Sequence, residues 1–458
     1  MVSFSSLEFL FRFLPVFLIL YFITPSKHRE VTLLVGSIIF YAVGEPIFIL
    51  VLVLATLLNH FLAIQSWKVG EGFELHEWQT RRRKHYMIRA VVLDAMILCT
   101  FKLLSTFVDS ALLPLGISFY IFKMISFQVD LYRREIWSRP RLKYTVLYFM
   151  MFPQVVSGPI MRYHEAEFDL TRSYSSEQFE DGLKYFVLGL GMKVLLADRL
   201  AILWNDLQMI GFQSISTPLA WLGAAGYSLQ LYFDFWGYSL MASGLLVMFG
   251  YNFIENFHHP YASKSISDFY RRWHMTLGSW FRDYVYIPLG GSRCSGLRLT
   301  FNLAVVWILT GVWHGNGVNF IIWGAVLGFF IILEKLTYGK LLMKIPLLGH
   351  LYVLLIIPLT WVVFAITDLS NLGIYFGRLF PFLGGPGIAV NSNDIIRYAQ
   401  DYGIFFAAGI VLCIPAVFGF YEKHKKNPFI ILLLVIVFWV SVYFLSTSAG
   451  NPFMYLKF

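Results

Sequence analysis

The chain has 458 residues, of which 58% are hydrophobic, 18% aromatic and only 14% charged. Soluble domains carry about 25% charged residues, so the composition excludes a soluble globular enzyme and indicates an integral membrane protein. The net charge of +9 is then expected on short cytoplasmic loops facing anionic lipid, with no call for a nucleic-acid partner.

Apolar stretches of spanning or near-spanning length fall at 4–23, 31–43, 47–64, 87–107, 112–131, 144–160, 183–203, 219–249, 301–313, 318–333, 351–367, 404–420 and 428–445. Crossing the hydrocarbon takes about 20 residues. The short runs 144–160 and 301–313 therefore read as re-entrant or tilted helices. The expected fold is an all-α polytopic membrane protein, one integral domain over 1–458, with about eleven transmembrane helices plus re-entrant ones. The stretch from Met1 to Phe22 lacks a basic leader and a small-residue cleavage site and reads as a retained first helix. The polar stretch 65–86 reads as a loop.

Basic blocks orient the chain. Lys27-His28-Arg29, Arg81-Arg82-Arg83-Lys84 and the cluster from Arg133 to Lys143 follow the first, third and fifth runs. Strict alternation puts all three in the cytoplasm and the N-terminus outside. Lys423-His424-Lys425-Lys426 precedes the last apolar run, which sends the final helix and the tail to Phe458 outward. Residues 160–300 yield no topology by counting. Cys99, Cys294 and Cys413 stand far apart, so neither a disulfide framework nor a zinc site is expected, and no acidic or histidine cluster suggests another metal.

Polar groups inside apolar runs carry the chemical signal. His314, in Val312-Trp313-His314-Gly315, ends an apolar run. An intramembrane histidine is costly and usually faces a cavity or a partner; a core histidine bonded to a carbonyl is the plain alternative. Gly311, Gly315 and Gly317 are expected to thin the wall around the ring and admit substrate. His274 follows Trp273 in a segment rich in arginine and aromatics. Both imidazoles could serve as general bases near neutral pH. Asp234 lies among aromatics, where it either orients an imidazole or pairs with an arginine to pack helices. Pro114 to Tyr120 and Phe152 to Ile160 break apolar runs, as cavity-lining breaks or as ordinary kinks. Arg271, Arg272 and Arg282, in a segment that closes on Gly290-Gly291, suit a phosphate-bearing ligand or, equally, lipid headgroups.

Taken together and in order, these motifs resemble the membrane-bound O-acyltransferase family, in its bacterial alginate-acetylation branch. The resemblance runs from Phe4-Ser5-Ser6-Leu7 through Pro114-Leu115-Gly116-Ile117-Ser118-Phe119-Tyr120, Tyr232-Phe233-Asp234-Phe235, Arg271-Arg272-Trp273-His274 and Val312-Trp313-His314-Gly315 to Asn451-Pro452-Phe453-Met454-Tyr455. One departure is Trp361-Val362-Val363-Phe364-Ala365, where relatives often carry an arginine after the aromatic pair.

The resemblance implies helices around a central funnel or tunnel in a bacterial cytoplasmic membrane. It implies transfer of an acetyl group from a cytoplasmic donor such as acetyl-CoA, with no bound cofactor, toward an extracytoplasmic alginate-, cellulose- or peptidoglycan-type polymer. A separate SGNH-type protein would complete the transfer. His314 matches the family's catalytic histidine and His274 its second one, expected to bind the donor or polarise the thioester carbonyl; Trp313, Gly315 and Asp234 would surround them. Phe453-x-Tyr455-x-x-Phe458 resembles a short motif whose tyrosine carries the acyl group in the related D-alanylation system, and it reads otherwise as an interfacial aromatic anchor. The competing functions are D-alanyl transfer to teichoic acid and, from another class, a proton-coupled transporter or flippase. The latter predicts inverted repeats, and none is visible.

Overall fold

The computed structural model describes residues 3–70, 75–166, 175–383, 390–391 and 393–447. Tyr455 and the rest of its motif lie outside the described residues. Among the described residues there is no β-strand, and the residues cluster into two compact units, Met1–Leu183 with Ala242–Ile254 and Lys184–Met241 with Glu255–Phe458. The fold is an all-α polytopic membrane fold. Among the described residues, seven helices are long and apolar enough to cross a bilayer.

The first unit holds α1 (Leu14–Ile23), α2 (Arg29–Gly44), α3 (Ile49–Val69), α4 (Glu77–Phe107), α5 (Ile117–Arg133), α6 (Leu142–Met150) and α7 (Phe152–Val155). Phe152 anchors its core, with the rings of Phe17, Phe13 and Phe40 at 5.2, 5.4 and 5.5 Å. The stretch 65–86 is not one long loop. Helix α3 runs on to Val69 and α4 starts at Glu77, where the Gln79 side chain accepts the His76 N–H at 2.8 Å. That reciprocal cap lets α4 begin within the polar stretch and carries Arg81 to Lys84 on a helix.

Both proline breaks are satisfied by side chains. Gly116 takes φ 72° at the start of α5, where a Cβ would sit 2.1 Å from the Val155 carbonyl oxygen, so only glycine fits. The Tyr41 hydroxyl donates to the Leu115 carbonyl at 2.9 Å. At the second break Ser37 Oγ accepts the Phe152 N–H at 3.0 Å, and the buried Lys123 ammonium donates to the Tyr148 carbonyl. Backbone freed within a bilayer needs such protein partners.

The second unit carries α8 (Ser176–Gly191), α9 (Asp198–Ile210), α10 (Thr217–Met248), α11 (Ile266–Arg272), α12 (Met275–Phe281), α13 (Gly296–His314), α14 (Val318–Leu336), α15 (Gly339–Lys344), α16 (Pro346–Ala365), α17 (Leu369–Leu379), α18 (Asp394–Cys413), α19 (Pro415–His424) and α20 (Pro428–Thr447); the first residues of α8 and the last residues of α10 belong to the first unit. The run 301–313 is part of a full 19-residue helix, because Ser295 caps its polar first turn by accepting the Arg298 N–H. The run 404–420 is two helices, divided where Ile414 turns extended before Pro415. Helix α20 exposes Leu432, Leu433, Ile436 and Trp439 by more than half of their surface. Apolar side chains on that scale are stable only against lipid.

Candidate active site

Helices α13 and α14 form a close antiparallel pair. A Cβ on Gly311 would lie 2.4 Å from the Phe320 carbonyl oxygen, one on Gly315 2.2 Å from the Phe320 ring, and one on Gly324 2.4 Å from the Trp307 carbonyl oxygen. A Cβ on Gly317 would meet the Asn319 side chain at 2.3 Å. These glycines therefore seat helix on helix and turn, and do not open a wall to substrate as the sequence suggested. Their contacts fix His314 at the last residue of α13, 4% exposed. Its ring lies 4.6 Å from Trp313, 5.0 Å from Trp323 and 5.3 Å from Phe364, centroid to centroid.

His274 stands between the seven-residue helices α11 and α12 in a left-handed conformation, φ 45° and ψ 55°. Such a backbone costs an L residue about 1–3 kcal/mol and persists only where the surroundings impose it. Asn256 imposes it. Its carbonyl accepts the Met275 N–H at 2.9 Å, and its Oδ1 accepts the Thr276 N–H at 3.2 Å and the Thr276 hydroxyl at 2.9 Å. Its Nδ2 donates to Ser239 Oγ at 2.7 Å. The same Oδ1 lies 3.1 Å from His274 Nδ1. A backbone N–H can only donate, so the amide atom facing it is oxygen, and His274 Nδ1 must carry the proton. Nε2 is then a lone pair, buried and without a hydrogen-bond partner among the described residues. Burial pushes the His274 imidazole far below the ordinary histidine range, to about 3, which keeps it neutral.

Both histidines line one cavity of about 760 Å³. Its inner wall is aromatic: Tyr270 packs on Trp307 at 4.7 Å, and Trp273 lies 5.0 Å from Trp361. Its outer side chains are cationic. Arg271, Arg282, Lys335, Lys340 and Lys344 all line it and are all exposed. Glu334, 5% exposed, also lines it and holds the start of α11, accepting the Ile266 and Ser267 N–H groups at 2.6 and 2.9 Å. The space therefore grades from a cationic mouth to a largely aromatic interior holding two imidazoles. That gradient suits a ligand with an anionic head and a slender apolar arm.

The structure thus brings His314, His274, Arg271 and Arg282 together. Arg272 does not line the cavity; its Nε pairs with Asp268 at 3.3 Å. Nor does the Gly290-Gly291 turn, which is tied to α13 by Arg298 and Asn302 donating to the Leu289 and Gly291 carbonyls at 3.0 and 3.1 Å. Asp234 does not line it either. Its carboxylate is paired at 2.8 Å with the buried ammonium of Lys193, which also holds Asp198 at 2.5 Å. The packing role is therefore the one seen, with lysine in place of arginine, and His274 takes its orienting partner from an amide. Trp313 neighbours both imidazoles, with its ring 4.6 Å from His314 and 6.4 Å from His274, and does not itself line the cavity. Sequence reasoning missed Asn256, which is a lone amide in a loop. It also missed Lys335, Lys340 and Lys344, although basic residues flanking an apolar run were a usable signal.

Residues 75–377 match the membrane-bound O-acyltransferase family. The chain belongs to that family. It is 35% identical to a probable alginate O-acetylase of Pseudomonas syringae pv. tomato, over 93% of this chain and 83% of the relative. It is 36% identical to the corresponding protein of Pseudomonas aeruginosa, again over 93% and 83%. A peptidoglycan O-acetyltransferase of Helicobacter pylori is 30% identical over 99% of this chain and 97% of its own length. As a membrane-bound O-acyltransferase, the protein is a multi-pass membrane enzyme that transfers acyl groups. A transporter reading is set aside.

Proposed function

We propose that this acyltransferase moves an acetyl group from cytoplasmic acetyl-CoA through a bacterial cytoplasmic membrane for O-acetylation of an extracytoplasmic polysaccharide, in concert with an SGNH-type partner. The cavity that joins five exposed cations to two buried imidazoles carries this reading. Phosphates of CoA suit the cationic mouth and the pantetheine arm the aromatic interior. The near end-to-end similarity to two kinds of polysaccharide O-acetylase supports acetyl transfer. Teichoic acid D-alanyltransferases of Bacillus subtilis and Streptococcus thermophilus match 46% of the chain at 33% identity and 71% at 25% identity, less in coverage or in identity than the O-acetylases, which favours acetyl over D-alanyl.

In this reading His314 is the general base. It takes the proton of the acceptor hydroxyl as the oxygen attacks the thioester carbonyl; the C–S bond breaks, and the CoA thiolate leaves with the electron pair. Holding both reactants in a dry site supplies the proximity. The first acceptor is the Tyr455 phenol, which then presents the acetyl group to the partner outside. A phenol has an ordinary pKa of about 10 and needs such a base.

The test is polysaccharide acetylation in cells carrying His314→Ala or Tyr455→Phe at matched protein abundance. Loss of the base is expected to lower acetylation by about 10²–10⁴-fold. Tyr455→Phe keeps the aromatic ring and should stop acetylation as fully. Normal acetylation with His314→Ala would overturn the catalytic assignment, and with Tyr455→Phe alone it would overturn only the relay.

A further inference from the structure

His274 was expected either to bind the donor or to polarise the thioester carbonyl. Polarising needs a hydrogen-bond donor, and in the neutral ring that burial favours the hydrogen bonds around Asn256 give His274 Nε2 no hydrogen to donate. The Thr276 N–H marks Asn256 Oδ1 as oxygen, Oδ1 places the proton on His274 Nδ1, and Nε2 is left as a buried acceptor on a residue that lines the cavity. A buried acceptor without a partner is unfavourable, and it is satisfied when a ligand brings an N–H or O–H.

If the donor is acetyl-CoA, three of its own or its acceptor's groups lie near the reacting carbon. The carbonyl oxygen cannot pair with a lone pair. The acceptor hydroxyl gives its proton to His314. The remaining group is the cysteamine amide N–H, two methylenes from the sulfur. We propose that Asn256 is a positioning residue that holds His274 as a hydrogen-bond acceptor, and that His274 Nε2 receives the cysteamine amide N–H of acetyl-CoA. This rests on the acetyl-CoA reading above. It also accounts for the strained backbone of His274: the left-handed turn is what lets Thr276 and His274 converge on one oxygen.

The test is competition binding on the full-length protein in nanodiscs, using radiolabelled acetyl-CoA. The competitors are acetyl-CoA and an analogue whose cysteamine amide is replaced by an ester, which differs in having oxygen where the N–H was. The wild-type protein is expected to bind the ester analogue about tenfold more weakly, the usual scale for leaving one buried polar group unpaired. Asn256→Asp keeps the accepting oxygen and should keep that ratio. Asn256→Leu frees the imidazole to place its proton on either nitrogen and should bring the ratio close to one; a merely structural loss would weaken both ligands in parallel and leave the ratio alone. Equal binding of the two ligands by the wild-type protein would overturn this inference and leave the acetyl-CoA reading standing. Absence of any acetyl-CoA binding would overturn both. The wild-type comparison decides the matter even if Asn256→Leu fails to fold.

Discussion

Glu334 shows how single residues set this site. Its carboxylate spans two adjacent N–H groups at the start of α11, and α11 carries Tyr270 and Arg271 to the cavity and leads directly into His274. Both carboxylate oxygens accept, so an amide in their place turns one acceptor into a donor facing a donor. Glu334→Gln is expected to lower stability by about 1–3 kcal/mol, measured by thermal unfolding in detergent, and to raise the KM for acetyl-CoA by loosening the wall that bears His274. An unchanged melting temperature and KM would remove Glu334 from this role. Glu334 was illegible in the sequence because a glutamate near a helix end is ordinary, and its partners lie 67 and 68 residues away. His314 and His274 were legible for the opposite reason: an imidazole within or beside apolar runs is costly wherever it sits. The protonation pattern of His274 was not legible, since it depends on an amide 18 residues upstream.

At the scale of elements, the α13–α14 pair places the catalytic candidate. The glycines on it are distinguishable by what an added methyl group would meet. Gly324 has the Trp307 carbonyl oxygen at 2.4 Å and Gly311 Cα at 3.2 Å, whereas Gly403 in α18 has open space. Gly324→Ala forces backbone from backbone and is expected to cost about 1–3 kcal/mol; it should also lower acetylation by shifting His314 at the end of α13. Gly403→Ala is expected to be neutral or to stabilise by about 0.5–1 kcal/mol, as helix propensity alone dictates. Thermal unfolding of the two variants checks the contrast, and equal effects would refute the close-packing account. The sequence showed that both apolar runs exist but could not show why glycine recurs in them. A run of apolar residues reports the solvent, and the distance between helices is a property of the pair. The same limit applies to 404–420, where hydropathy continues across a proline that ends the helix.

At the scale of the molecule, the polytopic all-α fold was legible from composition, because a bilayer leaves the chain few alternatives. The site's charge was only half legible. Arg271 and Arg282 stood out within an arginine-rich segment, but the other half of the mouth comes from Lys335 at the end of α14 and from Lys340 and Lys344 on α15. Each of these reads locally as a basic residue flanking a membrane helix, and nothing in the sequence says that the two segments meet. Five exposed cations around one opening create a field that none creates alone. Their effect on donor binding should be long-range and screened, with a Debye length of about 8 Å at physiological salt. The triple variant Lys335→Gln, Lys340→Gln, Lys344→Gln keeps polar side chains only one atom shorter and removes three charges from the cavity lining. It is expected to raise the KM for acetyl-CoA by about tenfold at low ionic strength, since each lost charge-assisted contact in water contributes up to about 1 kcal/mol, while kcat stays near the wild-type value. It should also flatten the rise of KM with salt expected of the wild-type enzyme. If the lysines only meet lipid headgroups, the variant will change melting temperature or membrane insertion, and KM will keep its wild-type value and salt slope.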